Sequence, residues 1–374
     1  MTARVSVVVP AYRCERTVED AVRSALNGTV RDIEVIVVND GSDDGTAAVL
    51  ERLAAADTRV RVLSLEQNGG VANARNVGAR AAQADWIAFL DSDDLWEPDK
   101  LEQQLALQQK TGARMLCTGA RCIDATGRET GRVFKVPETV TYRAALKGND
   151  IVTSTVLIEK ALFLRHPMER SDLHEDYLCW LSVLNDGVTA YGLNEPLICY
   201  RIAAGSKSGN KLRSAVMMWN TYRHLGFGFW KDSKDGQWKA RPHQDSVERF
   251  KRKLKNLTDR SWSISTDDRI KKLNAVIRGW INYYRMGSMK QALIRIDKHL
   301  RNRMRIVIWK QWKKSGKRYW GLRKLGAPEW MAKQSVGFGD HYQAVVKTTG
   351  LHLISKEILA RRGLLSCVDY YLLG

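Results

Sequence analysis

The chain lacks any apolar run near the 18 residues needed to cross a bilayer, and its first apolar stretch, Val5 to Val9, is too short for the core of a secretory leader. No transmembrane segment is expected. The expected address is the cytoplasm, with peripheral contact at the inner face of the membrane. Prolines number only seven, no low-complexity tract or fixed-period repeat occurs, and 44% of residues are hydrophobic, a composition that excludes a largely disordered chain. The six cysteines (Cys14, Cys117, Cys122, Cys179, Cys199 and Cys367) form no C-x-x-C pair and have no histidine at zinc-finger spacing. Reduced thiols are expected, not a zinc module or a disulfide framework.

Acidic side chains are scarce in one region only. Residues 225 to 374 hold 12 Asp and Glu against 33 Lys and Arg, whereas residues 1 to 224 hold 29 against 27, so the whole surplus of +19 lies in the C-terminal part. A chain of 374 residues can build two cores. Two domains are expected, 1–224 and 225–374, the second facing an anionic polymer or surface.

In the first part, Arg4 to Val9, Ile33 to Val38, Val60 to Leu65 and Trp86 to Leu90 are short β-branched runs, separated by segments of helical period at Val18 to Leu26 and Ala47 to Leu53. This alternation predicts an α/β fold with a largely parallel sheet. Ligands collect outside the carboxyl ends of such strands, and the polar clusters fall there: Pro10 and Tyr12, then Asn39 to Ser42, then Asp91 to Asp94. Two carboxylates one residue apart, Asp91 and Asp93, can both approach a divalent cation and a diphosphate, and hard oxygen ligands suit Mg²⁺ or Mn²⁺. An acidic turn capping the helix after Pro98 is the plainer alternative. A second pair, Glu175 and Asp176, precedes a helix with Trp180 and Leu184; it offers either a general base or charges that favour the helix N-terminus.

With VVVPAY, VVNDGSDDGT, NGGVANARNVG, FLDSDDLW and HEDYLCW in order, residues 1 to about 224 resemble the family 2 glycosyltransferases of GT-A fold. The resemblance implies sugar transfer from a nucleoside diphosphate sugar, with inversion, to a saccharide or lipid-linked acceptor in surface polysaccharide or glycolipid assembly. It implies nucleotide contacts for Pro10, Tyr12, Asp40 (to the base), Arg75 and Asp91, metal contacts for Asp93 and Asp91, and a general base at Asp176 beside Glu175. His174, Arg201, Ser206 and Ser208 are weaker candidates. A nucleotidyltransferase would want a Gly-rich, lysine-bearing loop after the first strand, which VVVPAYRCERT does not offer.

In the second part, Val247, Phe250, Leu254 and Leu257 recur at helical steps among Arg249, Lys251, Arg252, Lys253 and Lys255. A second helix begins at Ser265, which forms a capping box with Asp268, and runs to Tyr284; a third spans Met289 to Ile308 and carries Arg301, Arg303 and Arg305, with Lys310 just beyond. Eight of the 12 tryptophans lie here. Basic faces with aromatic rings fit structured RNA, phosphates for the cations and unstacked bases for the rings, with anionic lipid as the alternative.

The stretches GFGFWKD, RPHQDSVERFKRKLK, IRGWINYY, IRIDKHLRNRMRIVIWKQWKK and GLLSCVDYY resemble the thumb and maturase-specific region of group II intron reverse transcriptases. RNA binding by Arg249, Lys251, Arg252, Lys253, Arg301, Arg303, Arg305 and Lys310 follows as an expectation. Polymerase YxDD carboxylates are missing upstream, so no reverse transcription is expected. Both parts look cut near Leu225 to Phe229, as a gene fusion or an assembly error would leave them. Two functions therefore compete: glycosyl transfer with a maturase-like passenger, and an RNA-binding splicing factor with an inactive N-terminal passenger.

Overall fold

The computed structural model describes residues 3–169, 173–202, 211–231, 238–347 and 353–373. The chain forms two compact units, Met1–Thr221 and Tyr222–Gly374, and among the described residues no helix is long and apolar enough to cross a membrane.

The first unit alternates strand and helix: β1 (Val5–Ala11), α1 (Val18–Leu26), β2 (Ile33–Asn39), α2 (Thr46–Ala56), β3 (Val60–Ser64), α3 (Val71–Ala81) and β4 (Trp86–Phe89). Then follow β5 (Leu95–Trp96), α4 (Lys100–Thr111), β6 (Met115–Ile123), β7 (Glu129–Phe134), β8 (Thr139–Val140), α5 (Tyr142–Ala145), a 3-10 turn (Thr153–Thr155), β9 (Leu157–Glu159), α6 (Lys160–Arg165), α7 (Glu175–Asn185), β10 (Ala190–Arg201) and α8 (Lys211–His224), whose last three residues already belong to the second unit. All ten strands join one sheet, whose main path runs β3-β2-β1-β4-β9-β6-β10-β5. β1 and β2 are buried along their whole length, the pattern of parallel strands covered on both faces. Helix α1 buries Val18, Ala21, Val22 and Ala25 as one apolar stripe.

Strand β1 lies between β2 and β4, parallel to both, so the chain order reverses direction across the sheet at β1. A doubly wound sheet opens its crevice at such a switch point. Beyond β4 the sheet is mixed: β9 runs antiparallel to β4 and β6, while β10 is parallel to β6.

The second unit opens with a hairpin, β11 (Phe227–Lys231) and β12 (Trp238–Pro242), followed by α9 (Gln244–Leu257), α10 (Thr266–Tyr284), α11 (Lys290–Gln311), α12 (Ser315–Lys324), α13 (Glu329–Val336), α14 (Tyr342–Lys347), α15 (Lys356–Arg361) and α16 (Cys367–Leu372). Ser265 caps α10 by accepting from the Asp268 N–H at 3.0 Å, as its sequence signature implies. Phe250 of α9 stacks on Trp280 of α10 with centroids 4.4 Å apart, and Trp309 of α11 seeds a smaller cluster with Leu322, Ala327 and Ala332.

Candidate active site

The carboxyl ends of β1, β2 and β4 meet at one edge of the sheet. Pro10 is a buried residue inside β1, and Tyr12, just beyond it, is 42% exposed. Arg13 has a left-handed backbone (φ 49°), a strained setting for a residue with a Cβ. Its guanidinium pairs with Asp43 through two 2.6 Å hydrogen bonds and lies 5.3 Å from the centre of the Tyr12 ring. Asp40 is buried, with its two oxygens accepting from Gly69 N and Gly70 N at 2.8 Å each. Gly70 adopts φ 87°, which a side chain would disfavour, and so turns the chain into α3. Asp40 therefore shapes the loop that starts α3 as well as lying where a nucleotide base is expected.

Strand β4 delivers the acidic loop Asp91–Asp94. Asp91 Oδ1 accepts from Arg75 Nη2 at 2.6 Å. Asp94 is buried and accepts from Ser154 Oγ at 2.5 Å and from the Arg201 N–H at 2.9 Å, while Arg201 Nε donates to the Asp93 carbonyl at 2.8 Å. The Asp93 carboxyl is half-buried, and burial together with the Asp91 charge pushes its pKa up to about 6. Asp94 is raised well above the usual range, by burial and then by Asp91 and Asp93. Asp91 and Asp93, one residue apart at this strand end, offer the hard oxygen donors that suit a divalent cation. Among the described residues no three His, Cys, Asp or Glu side chains form a cage. A cation held by one or two of these carboxylates would complete its shell from diphosphate and water, the habit of Mg²⁺.

Helix α7 brings the second acidic pair in its first turn. Glu175 is buried, with Oε1 3.7 Å from Arg75 Nη1. Asp176 is half-buried; Oδ2 accepts from Thr153 Oγ1 at 2.9 Å and Oδ1 from the Tyr177 N–H at 2.7 Å. Arg75, expected at the nucleotide, is buried and pairs with Asp91 and Glu175. Burial alone would loosen its proton, but Asp91, Asp176 and Glu175 outweigh burial and raise its pKa. Thr153 and Ser154 join the site without any sign in the sequence, because TVLIEK and its neighbours carry no pattern that marks a short turn as part of a site. Ser206 and Ser208 lie outside the described residues.

In the second unit Arg249, Lys251, Arg252 and Lys253 are exposed on α9, whereas Arg301 and Lys310 of α11 are half-buried. A groove of about 560 Å³ between α9 and α11 is lined by Lys251, Arg252, Lys255, Arg295, His299 and Arg303. Two of the expected RNA-facing residues are otherwise engaged. Arg303 donates to Thr258 Oγ1 at 2.6 Å and to the carbonyls of Lys255 and Thr258, closing the C-terminus of α9. Arg305 is buried, donating to Ile354 O at 2.9 Å and Asn302 Oδ1 at 2.7 Å. The physical reason is that α11 packs on more than one side, so the face shared with Asp297 and Ile308 is interior.

The model of Glycosyl transferase family 2 matches residues 6–165, and that of the Group II intron, maturase-specific domain matches residues 247–326. TuaG of Bacillus subtilis (strain 168), a glycosyltransferase named for teichuronic acid biosynthesis, is 38% identical over 221 residues, which span 59% of this chain and 88% of TuaG. WfaP of Escherichia coli, a UDP-Glc:alpha-D-GlcNAc-diphosphoundecaprenol beta-1,3-glucosyltransferase, is 32% identical over 222 residues, 59% of this chain and 86% of WfaP. The crystal structure of S. aureus TarS 1–349 with UDP-GlcNAc aligns with a TM-score of 0.46 at 15% identity, covering 93% of this chain and 92% of that one.

Proposed function

The chain belongs to the family 2 glycosyltransferases, and we propose that residues 1–224 transfer a sugar from a nucleoside diphosphate sugar to an acceptor hydroxyl in a metal-dependent, inverting reaction. The observation that carries this reading is that one guanidinium, Arg75, pairs with Asp91 at 2.6 Å and reaches Glu175 at 3.7 Å, so both acidic sets serve one site. Tyr12 and Asp40 face the nucleotide. Asp93 and Asp91 would hold Mn²⁺ or Mg²⁺, which would supply positive charge against the departing diphosphate. Asp176 takes the proton from the acceptor hydroxyl, a role worth roughly 10² to 10⁴-fold in rate. The acceptor oxygen bonds to the anomeric carbon as that carbon's bond to the diphosphate breaks on the opposite side, the electron pair leaving with the diphosphate. Glu175 keeps Arg75 in place.

The activities for which TuaG and WfaP are named support a surface polysaccharide or lipid-linked acceptor, and with it a location at the inner face of the membrane. Asp93→Asn is expected to lower metal-dependent transfer on the order of 100-fold or more, since even outer-shell partners of a metal are worth 10 to 100-fold. Transfer at the wild-type rate would sink the metal assignment.

Residues 225–374 carry a second reading, RNA binding by a maturase-like module, supported by the exposed cations of α9 beside the 560 Å³ basic groove. Charge reversal at Arg249, Lys251 and Arg252 should weaken binding of a structured RNA and lower the slope of its salt dependence by about one for each phosphate no longer neutralised. Sugar transfer should be unchanged in that variant. RNA affinity equal to wild type would remove the reading.

A further inference from the structure

The 3-10 turn Thr153–Thr155 buries all three of its side chains beside the site. Thr153 Oγ1 donates to Asp176 Oδ2 at 2.9 Å. The next residue faces the other acidic set: Ser154 Oγ donates to Asp94 Oδ2 at 2.5 Å and accepts from the Asp91 N–H at 3.1 Å. Consecutive residues of one turn thus hold a carboxylate of α7 and both ends of the loop after β4, elements that are distant in the chain.

The turn is itself fixed from beneath. Trp96 Nε1 donates to Ser154 O at 3.0 Å, and Gln104 Nε2 donates to Thr155 O at 2.9 Å. Gln104 Oε1 in turn accepts from Lys100 Nζ at 2.9 Å, and that amine sits 3.9 Å from the centre of the Trp96 ring. Trp96, Lys100 and Gln104 are all buried, so moving the turn would leave polar groups unpaired away from water. A buried network with its partners satisfied is rigid.

The geometry points to Thr153 and Ser154 as positioning residues for sugar transfer: through them one turn sets the separation between the base carboxylate of Asp176 and the acidic loop that receives the diphosphate. This rests on Asp176 being the base. With Oδ1 held by Tyr177 N and Oδ2 by Thr153, the carboxylate plane is fixed, and each oxygen keeps lone-pair capacity with which to meet the acceptor proton. That proton moves to Asp176 while the acceptor oxygen bonds to the anomeric carbon and the diphosphate leaves with its electron pair. Ser154 acts on the other side, holding the loop that carries Asp91 and Asp93.

The test uses full-length Thr153→Val, which removes the hydroxyl at nearly constant volume, beside Thr153→Ser, Ser154→Ala and Asp176→Asn. For Thr153→Val, kcat should fall roughly 10 to 100-fold, the scale of a misplaced reacting group. Its KM for donor and its Mn²⁺-dependent thermal shift with UDP should match wild type, and Thr153→Ser should recover most of kcat. Ser154→Ala should instead weaken the UDP shift that Mn²⁺ supports. If valine prevents folding, Thr153→Ala gives the same reading with space in place of bulk. Wild-type kcat in Thr153→Val with Asp176→Asn inactive would overturn the positioning role and leave the base reading standing. Loss of UDP binding together with kcat, unrescued by serine, would also overturn it by showing only a structural part. Full transfer by Asp176→Asn would remove the base and the positioning role with it.

Discussion

Arg75 lies 2.6 Å from Asp91 and 3.7 Å from Glu175, buried, and its charge is what allows two acidic sets to occupy one crevice. Removing a partner from such a group exposes the cost of the charge left behind, more than the worth of the pair. Lys100 is the opposite case. Burial pulls its pKa down to about 7, and its partners are the neutral Gln104 and the Trp96 ring. An amine that holds its proton less tightly when folded than when unfolded makes the folded state bind fewer protons between the two values, so stability rises with pH across that window. Melting temperature should therefore climb from about pH 7 to pH 9, and Lys100→Met should flatten the climb. A climb of equal slope in that variant would show that other groups cause it. Above the ordinary thiol range the buried Cys117 and Cys179, whose pKa values burial raises, act in the opposite sense. The acidic motifs were legible because they stand in order with VVVPAY, VVNDGSDDGT and NGGVANARNVG, since an aspartate pair alone reads as readily as an acidic turn. Arg303 and Arg305 were not legible, since a basic residue on a helix that packs on several sides has no signature in its spacing.

Among helices and strands, the strongest periodicities translate directly into structure. The stripe Val18 to Leu26 is α1, and the capping signal at Ser265 starts a helix that ends at Tyr284. The strands beyond β4 were less legible: β10 mixes polar and apolar residues and its pairing with β6 shifts register around Pro196, and the exposed β7 lacks an alternating apolar face. Helix α3 shows what tight packing demands. At Gly78 an added Cβ would lie 2.5 Å from Val8 Cγ1 and 3.2 Å from Val38 Cγ2. Gly78→Ala gains about 1 kcal/mol of helix propensity but overpacks the sheet, which costs typically 1 to 3 kcal/mol. The expected outcome is a lower melting temperature, by a few degrees, read by calorimetry on the full chain. A higher one would mean that β1 and β2 yield to α3.

Across the full chain, charge alone separates a near-neutral part from a strongly basic one, the whole surplus of +19 lying from Leu225 onward, while the compact units divide between Thr221 and Tyr222. What charge could not convey was the use of some of that surplus inside the second unit, where Arg269 caps α9 through the carbonyls of Leu257, Asp259 and Trp262. Every functional role proposed for the first unit depends on an assembled nucleotide-sugar site. Thermal shift of the full-length chain with UDP, GDP, dTDP and CDP, each with and without Mn²⁺, measures whether that site exists. A nucleotide at 100 times its dissociation constant adds about 2.7 kcal/mol to the unit it binds, a rise of roughly 5 to 10 °C. Such a rise is expected with one nucleotide, dependent on Mn²⁺ and lost in Asp93→Asn. A cooperative melt unmoved by all four would contradict an assembled site.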